Sequence, residues 1–405
     1  MFICRKTGAH RELENSRFIR SVATALGILA LVVLFVWRNQ GIILGMLDGF
    51  TSFNMQMGGD SGRYLDGADR LLRGDSLVGK QNNYVGYISI VALVKASGIP
   101  LQFVAIFHLI LMVIAGACVF MLGKAVWNSG AGMFAALLFF ENPDLAIWNE
   151  YLLTDSLYSY LVVMVSYILH RTGKSGGLWH GILWPMLLVT ASVRPNGWIL
   201  FPVAGVFLSM IWAKNITTKS AAITFVCISF LTVALLIPSF KNGIEYEHPV
   251  AMFSKGTVIW GYKGWDIAMP TLDKVSHGWE QGIMVAIKYP LDSAKLAITR
   301  IGAELIRVRP YYPRRMNIRL GVEVGTIYLL AFLGAIYVWR NKVSKLILLV
   351  VVAHLLILGL TFASYDGRFL LYFFPLIIVM AGAGMSHASQ LLYARLTGIY
   401  RVGRS

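Results

Sequence analysis

Charge is what this sequence has least of. Only 14% of its 405 residues are Asp, Glu, Lys or Arg, against a hydrophobic fraction of 57%, whereas soluble domains carry about 25% charged residues. That shortage excludes an ordinary soluble enzyme, and so much apolar content excludes a disordered chain. Cysteine is scarce as well. Cys4, Cys118 and Cys227 fall in a basic segment and in two apolar runs, which offers neither a disulfide framework nor a metal-ligand spacing. There is no His/Cys zinc pattern, no phosphate-cradling Walker loop and no nucleophile elbow. Internal repeats and low-complexity linkers are missing too. Acids are the rarer sign of charge, 20 against 36 basic residues, for a formal net charge of +16. The basic residues are scattered rather than gathered on one stripe, so nucleic-acid binding is excluded as a reading.

What the chain does have is long apolar runs. Uncharged stretches occupy 21–37, 96–123, 125–140, 156–170, 175–193, 195–213, 220–240, 324–339, 346–365 and 369–394. A helix needs roughly 17–25 residues to cross the hydrocarbon, and the shorter runs gain reach from flanking Lys and Arg. These are ten candidate spans. The run 81–94 has 14 residues and ends at Lys95, which suits an interfacial helix. Basic residues mark the cytoplasmic side. Arg5, Lys6, Arg11, Arg17 and Arg20 put the N-terminal segment there. Alternate loops then carry Lys124, the pair Arg171 and Lys174, the pair Lys214 and Lys219, and the trio Arg340, Lys342 and Lys345. The C-terminal segment carries Arg395, Arg401 and Arg404, while the short outer loops hold only Arg194 and Arg368. The first run reads as a retained anchor, because no small-residue cleavage site closes it and Trp37-Arg38 follows.

The reading is therefore an all-α polytopic membrane protein with about ten transmembrane helices and both termini cytoplasmic. It forms one integral membrane domain over 1–405, with two helical outer-face loops, 39–95 and 241–321. Much of the net charge serves orientation and contact with anionic lipid. The polar complexity gathers on the outer face, and with it the candidate chemistry.

In the first outer loop Asp60 follows two glycines, and a helical pattern begins at Tyr64 with Ala68, Leu71 and Leu72 on one face. A carboxylate there can act as a base or bind a metal, or it can simply cap the helix. The segment 141–155 holds Glu141, Asp144, Glu150 and Asp155 and no Lys or Arg. Acids beside a membrane without a local partner read as functional, with capping of the next helix as the alternative. Arg194-Pro195 forms a hairpin between two spans and could equally be an interfacial anchor. Between 300 and 319 lie Arg300, Arg307, Arg309, Arg314, Arg315 and Arg319 against the single acid Glu304, with Tyr311 and Tyr312 among them. Arginine forks suit phosphate oxygens, and anionic headgroups are the other partner open to them. Asp366 and Arg368 share a short turn and could neutralise each other.

Together these residues resemble the GT-C superfamily of membrane glycosyltransferases, and within it the bacterial relatives of family 39, the protein mannosyltransferases and the lipid A aminoarabinose transferases. The likeness rests on Asp60-Ser61-x-x-Tyr64 continuing to Ala68, Leu72 and Gly74; on Leu153-Thr154-Asp155; on Arg194-Pro195-Asn196-Gly197; and on Arg368-Phe369 followed by Pro375. It spans about 60–390 as pattern and order. One departure is Ser61, where many members carry a second acid. The resemblance implies a sugar donor on a polyprenyl phosphate, such as undecaprenyl phosphate, and inverting transfer at the outer face of a bacterial inner membrane. It implies Asp60 as base and Asp155 as a second catalytic residue that positions acceptor or donor, with a divalent metal (Mg or Mn) on Asp60 and Asp155 if one is used. Arg307, Arg309, Arg314, Arg315, Arg194 and Arg368 are the candidates for the donor phosphate. Tyr64, Glu150, Tyr311, Tyr312 and Asp366 are those for the acceptor, which would be a glycan, a lipid-linked glycan or a protein. Two other readings stay open. An O-antigen polymerase or ligase would move a lipid-linked glycan instead of one sugar. A polytopic transporter or flippase would place ionisable groups at mid-membrane, where these spans have almost none.

Overall fold

The computed structural model describes residues 25–175, 177–212, 252, 255–270 and 279–397. The candidate span 220–240, the N-terminal basic cluster, Arg401 and Arg404 lie outside the described residues. Within them the chain is almost wholly helical; β-structure is limited to isolated bridges such as Gln56–Tyr151 and Ile259–Ala363.

The helices are α1 (Ala25–Arg38), α2 (Gln40–Leu47), α3 (Ser61–Arg73), α4 (Val85–Ala96), α5 (Phe103–Val126), α6 (Ser129–Glu141), α7 (Pro143–Ile147), α8 (Asp155–Ser175), α9 (Leu178–Val193) and α10 (Leu200–Trp212). After them come α11 (Trp279–Lys288), α12 (Pro290–Ile306), α13 (Arg314–Val338), α14 (Lys342–Leu360) and α15 (Phe374–Leu396). Each apolar run among the described residues thus carries a helix. Four of these, α5, α13, α14 and α15, are long and apolar enough to cross a membrane alone, and α1 with α2 is long and apolar enough only as a pair, bent by 77°. The protein is an integral, multi-pass membrane protein. α6, α9 and α10 are apolar but shorter; 13 residues of α6 reach only about 20 Å at 1.5 Å per residue. α8 has the length, but its Ser, Thr and Tyr residues and the charges at its two ends make it less apolar, and 14 of its 21 residues are buried inside the protein.

Helix ends follow the local chemistry. Asn128 and Asn142 cap α6 and α7 by accepting from Ala131 N and Leu145 N. α3 stops at Gly74, whose φ of +78° places it in the left-handed region that glycine enters freely. Asn341 caps α14 through Val343 N, and its amide donates to the Ala125 and Val126 carbonyls at the end of α5. α15 packs along α13 and α6, α5 lies against α6 and α8, and α8 packs on α9. The α13–α15 contact is a backbone contact: a Cβ on Gly384 would sit 2.0 Å from the Leu330 carbonyl. Such small-residue seams are how helices close up in lipid, where no hydrophobic force draws them together.

The segment 39–95 supplies α3 and α4, which pack on each other. α4 covers the short run expected at the interface. α3 and α4, the Arg194 turn and the turn after α14 all meet at the head of α8, and the site forms there.

Candidate functional site

The sequence left Asp60 between a capping role and a chemical one. Asp60 does stand at the N-cap position of α3, yet its side chain accepts no capping bond. Ser61 performs the local fixing instead: its hydroxyl accepts from Gly58 N at 2.8 Å and donates to the Leu152 carbonyl at 2.9 Å. The Asp60 carboxylate is therefore free of backbone duty, and it lines a cavity of about 250 Å³. Arg63, one turn along α3, meets it at 3.1 Å.

Asp155, at the head of α8, is 1% exposed. It accepts from the Tyr372 hydroxyl at 2.8 Å and pairs with Arg194 at 3.2 Å and Arg368 at 3.6 Å. Arg368 also reaches Asp60, at 3.5 Å. One guanidinium thus joins the two carboxylates. Arg368 turns to these acids rather than to Asp366, so the self-neutralising pair open from sequence is not what forms. Arg194 is 6% exposed, too buried for an interfacial anchor. It donates to Thr154 Oγ1 at 2.6 Å and lies over the Tyr372 ring at 4.5 Å. Burial works against the charge on Arg368, but Asp155, Tyr372 and Asp60 outweigh it and hold its pKa above the ordinary arginine value. It stays a cation throughout.

The other lining residues include Lys80, Asn83, Tyr84, Trp260, Phe362, Tyr365, Asp366 and Phe369. Four cations, Arg63, Lys80, Arg194 and Arg368, line the cavity with two carboxylates, Asp60 and Asp366, and Asp155 is buried behind them. Arg63, Arg194 and Arg368 each have a carboxylate partner. Among the described residues Lys80 forms no ion pair, so it is the cation best placed to meet an incoming anion. A second, smaller cavity of about 130 Å³ shares Tyr84, Arg194, Phe362 and Phe369 with the first and continues along Ile357, Leu358 and Phe373. The two cavities therefore meet at Arg194, and the second mixes these apolar side chains with Asn196, His354, Thr361 and Tyr372.

The arginine cluster is placed differently from the sequence expectation. Arg300 is buried and donates to the Met252, Thr257 and Gly359 carbonyls at 2.8–3.0 Å. Arg309 is buried against Glu304 at 3.5 Å and donates to the Ala303, Ser364 and Tyr365 carbonyls. Arg307 pairs with Asp144, which supplies the local partner that the acidic segment lacked on paper. Arg314 and Arg315 are exposed on the first turn of α13. None of these four donor-phosphate candidates (Arg307, Arg309, Arg314, Arg315) lines the cavity; Arg194 and Arg368 do. Of the acceptor candidates only Asp366 lines it. Tyr311 stacks on Tyr365 at 4.2 Å and touches Tyr312 edge-on. Tyr64 is buried against Tyr84 and Tyr87. Glu150 is half-buried, and its carbonyl accepts from Gln56 N.

Sequence reading passed over Glu304 as the lone acid in a basic run. It accepts from Ser364 N, Ser364 Oγ and Leu370 N at 2.8–3.1 Å. With Arg309 it moulds the 364–370 turn that presents Arg368. Arg63 was also missed, although its place one turn after Asp60 is the spacing that sets two side chains together. Lys80 and Trp260 left no signal, since only the tertiary fold brings them near Asp60.

Asp60 and Asp155 do not suit a shared divalent ion in this arrangement. The donor set is two carboxylates, and Arg368 stands between them where the ion would lie. Among the described residues there is no group of three His, Cys, Asp or Glu side chains able to hold a metal.

The bundle shares its fold with solved oligosaccharyltransferase structures, the GT-C-like fold that the resemblance implied. Archaeal oligosaccharyltransferase AglB from Archaeoglobus fulgidus, in complex with an inhibitory peptide and a dolichol-phosphate, aligns with a TM-score of 0.51 at 13% identity, over 95% of this chain and 53% of that one. The A. fulgidus oligosaccharyltransferase tethered to an acceptor peptide aligns at 0.52 and 14% identity, over 92% and 51%. The chain spans about half the length of the oligosaccharyltransferase. At these identities the likeness is one of fold. No protein-family model matches the sequence, and no curated protein matches it.

Proposed function

We propose that the protein transfers a sugar from a polyprenyl-phosphate donor to an acceptor hydroxyl at the outer face of the membrane. The observation that carries the reading is Asp60: a carboxylate released from helix capping, lining a cavity whose other charged groups are mostly cationic. In this reading the chain crosses the membrane ten times with both termini cytoplasmic, in a bacterial inner membrane, and the cavity opens to the periplasmic side. The prenyl chain starts along Ile357, Leu358 and Phe373 of the second cavity, and the phosphate sits in the first, where Arg194, Arg368 and Lys80 line it.

Asp60 takes the proton from the acceptor hydroxyl as its oxygen attacks the anomeric carbon. The bond from that carbon to the phosphate oxygen breaks, its electron pair leaves with the phosphate, and the polyprenyl phosphate departs. Arg368, Arg194 and Lys80 stabilise the charge that grows on the phosphate. A single displacement inverts the anomeric centre. Asp155 positions Arg194 and Arg368 from behind. The acceptor is a glycan, a lipid-linked glycan or a protein. A cavity of about 250 Å³ lies just below the range for drug-sized ligands, about 300–1,000 Å³. That size favours one sugar over the long glycan of a polymerase or ligase.

Undecaprenyl phosphate, the product left by any such donor, tests the phosphate site without knowledge of the sugar. It is expected to raise the unfolding temperature of the purified protein saturably, while undecaprenol, lacking the phosphate, has little effect. In Lys80→Gln the half-saturating concentration is expected to rise about 10-fold or more, the worth of one charge-assisted hydrogen bond. Equal stabilisation by the alcohol would contradict the phosphate site.

A further inference from the structure

At the far end of α14 from the transfer site lies a second built feature. A groove of about 460 Å³ runs between α13, α14 and α15. Its walls include Phe332, Trp339 and Leu348, each more than 60% exposed, and Ala335 lies in its floor. Polar groups enter it at one end only, as Ser344 and Lys345. The Ser344 hydroxyl is buried and has no hydrogen-bond partner among the described residues. A buried hydroxyl left this way is costly, so it points to a ligand atom.

The charge at that end is of one sign. Arg340, Lys342 and Lys345 fall within six residues, and no Asp or Glu occurs between Glu323 and Asp366. They stand at the N-terminus of α14, where the helix dipole also favours an anion. Trp339 closes the preceding helix, a position aromatic residues favour at the membrane–water boundary. An apolar groove of lipid-facing side chains therefore ends in a cationic, hydroxyl-bearing head at headgroup depth.

We infer that this groove is a specific site for one anionic phospholipid. An acyl chain would lie along Phe332, Ala335 and Leu348, with the phosphate at Lys345 and the Ser344 hydroxyl. Basic pockets between membrane helices bind anionic headgroups by this chemistry. The site is separate from the transfer cavity. Ser344 and Thr361 lie at opposite ends of α14, roughly 25 Å apart by helical rise, and the two cavities share no lining residue.

The test uses the full chain, delipidated in detergent and titrated with phosphatidylglycerol or with phosphatidylcholine of the same acyl composition, and reads the unfolding temperature. Phosphatidylglycerol is expected to stabilise saturably and phosphatidylcholine much less. Lys345→Gln should raise the half-saturating concentration about fivefold, the worth of one basic side chain at an anionic surface. Lys124→Gln, a basic residue at the end of α5 outside the groove, should leave it unchanged. Leu348→Trp, an exposed change that fills the groove while keeping Lys345, should weaken the response as well. Equal stabilisation by both lipids would overturn the site. So would an equal loss in the Lys124 and Lys345 variants, or a phosphatidylglycerol response that Leu348→Trp leaves intact. Light scattering that showed a second copy covering the groove would overturn it too.

Discussion

Replacing Asp60 with asparagine is expected to lower transfer by about 10²–10⁴-fold, the usual contribution of a general base, while the protein still folds. Asparagine keeps the size of the side chain and loses the proton acceptor. The start of α3 does not depend on the carboxylate, because Ser61 ties it to Gly58 and Leu152. The ion pairs of Asp60 with Arg63 and Arg368 involve side chains 20–27% exposed, and such pairs contribute little when water screens them. Thermal unfolding in detergent should therefore stay close to wild type. Undecaprenyl phosphate should still bind, since its cations remain. A variant that folds and transfers normally would remove Asp60 from the chemistry. One that unfolds would return it to the capping role.

Asp155→Ala is expected to behave in the opposite way, with stability as the main loss. The carboxylate is buried between Arg194 and Arg368 and accepts from Tyr372. Its removal leaves Arg194 inside the protein with no counter-charge. Breaking a buried pair from one side costs about 3–5 kcal/mol, a large share of a typical 5–15 kcal/mol. A drop of many degrees in unfolding temperature should accompany loss of transfer. Asp155→Asn, which retains an acceptor for Tyr372, should lie between the two. Wild-type stability in Asp155→Ala would show that the Arg194–Asp155–Arg368 chain does not hold the site together.

Much of the fold was legible because membrane spans are a one-dimensional signal. A run of uncharged residues must be helical in lipid, where every backbone group needs an internal partner. Each run within the described residues carries a helix for that reason. Helix length was less legible: α13 begins at Arg314, ten residues before the uncharged run, since arginines on a first turn can extend into water. The 77° break after α1 had no proline to announce it. It sits at Asn39, whose amide is held by the Phe35 carbonyl and by Asn149, a contact 110 residues away. The site divides along the same line. Asp60, Asp155, Arg194 and Arg368 stood out because isolated charges beside a membrane are conspicuous. The roles within the 300–319 cluster did not, since an arginine that clamps carbonyls and one that meets a phosphate look alike in sequence. Arg300 and Arg309 turned inward because carbonyls at 252, 257 and 364 and at the helix ends 303 and 359 offered acceptors there.

Product analysis is the decisive test of transfer from a polyprenyl phosphate at the Asp60 cavity. Purified protein would be given a panel of undecaprenyl-phosphate sugars in turn, with total envelope glycan and protein as acceptor. Chromatography would follow free undecaprenyl phosphate, and NMR would read the anomeric configuration of the product. The account predicts that one donor releases undecaprenyl phosphate in step with sugar appearing on the acceptor, with inverted configuration, and that Asp60→Asn releases none above background. Release of an undecaprenyl diphosphate from a lipid-linked glycan, retention of configuration, or full turnover by Asp60→Asn would contradict it.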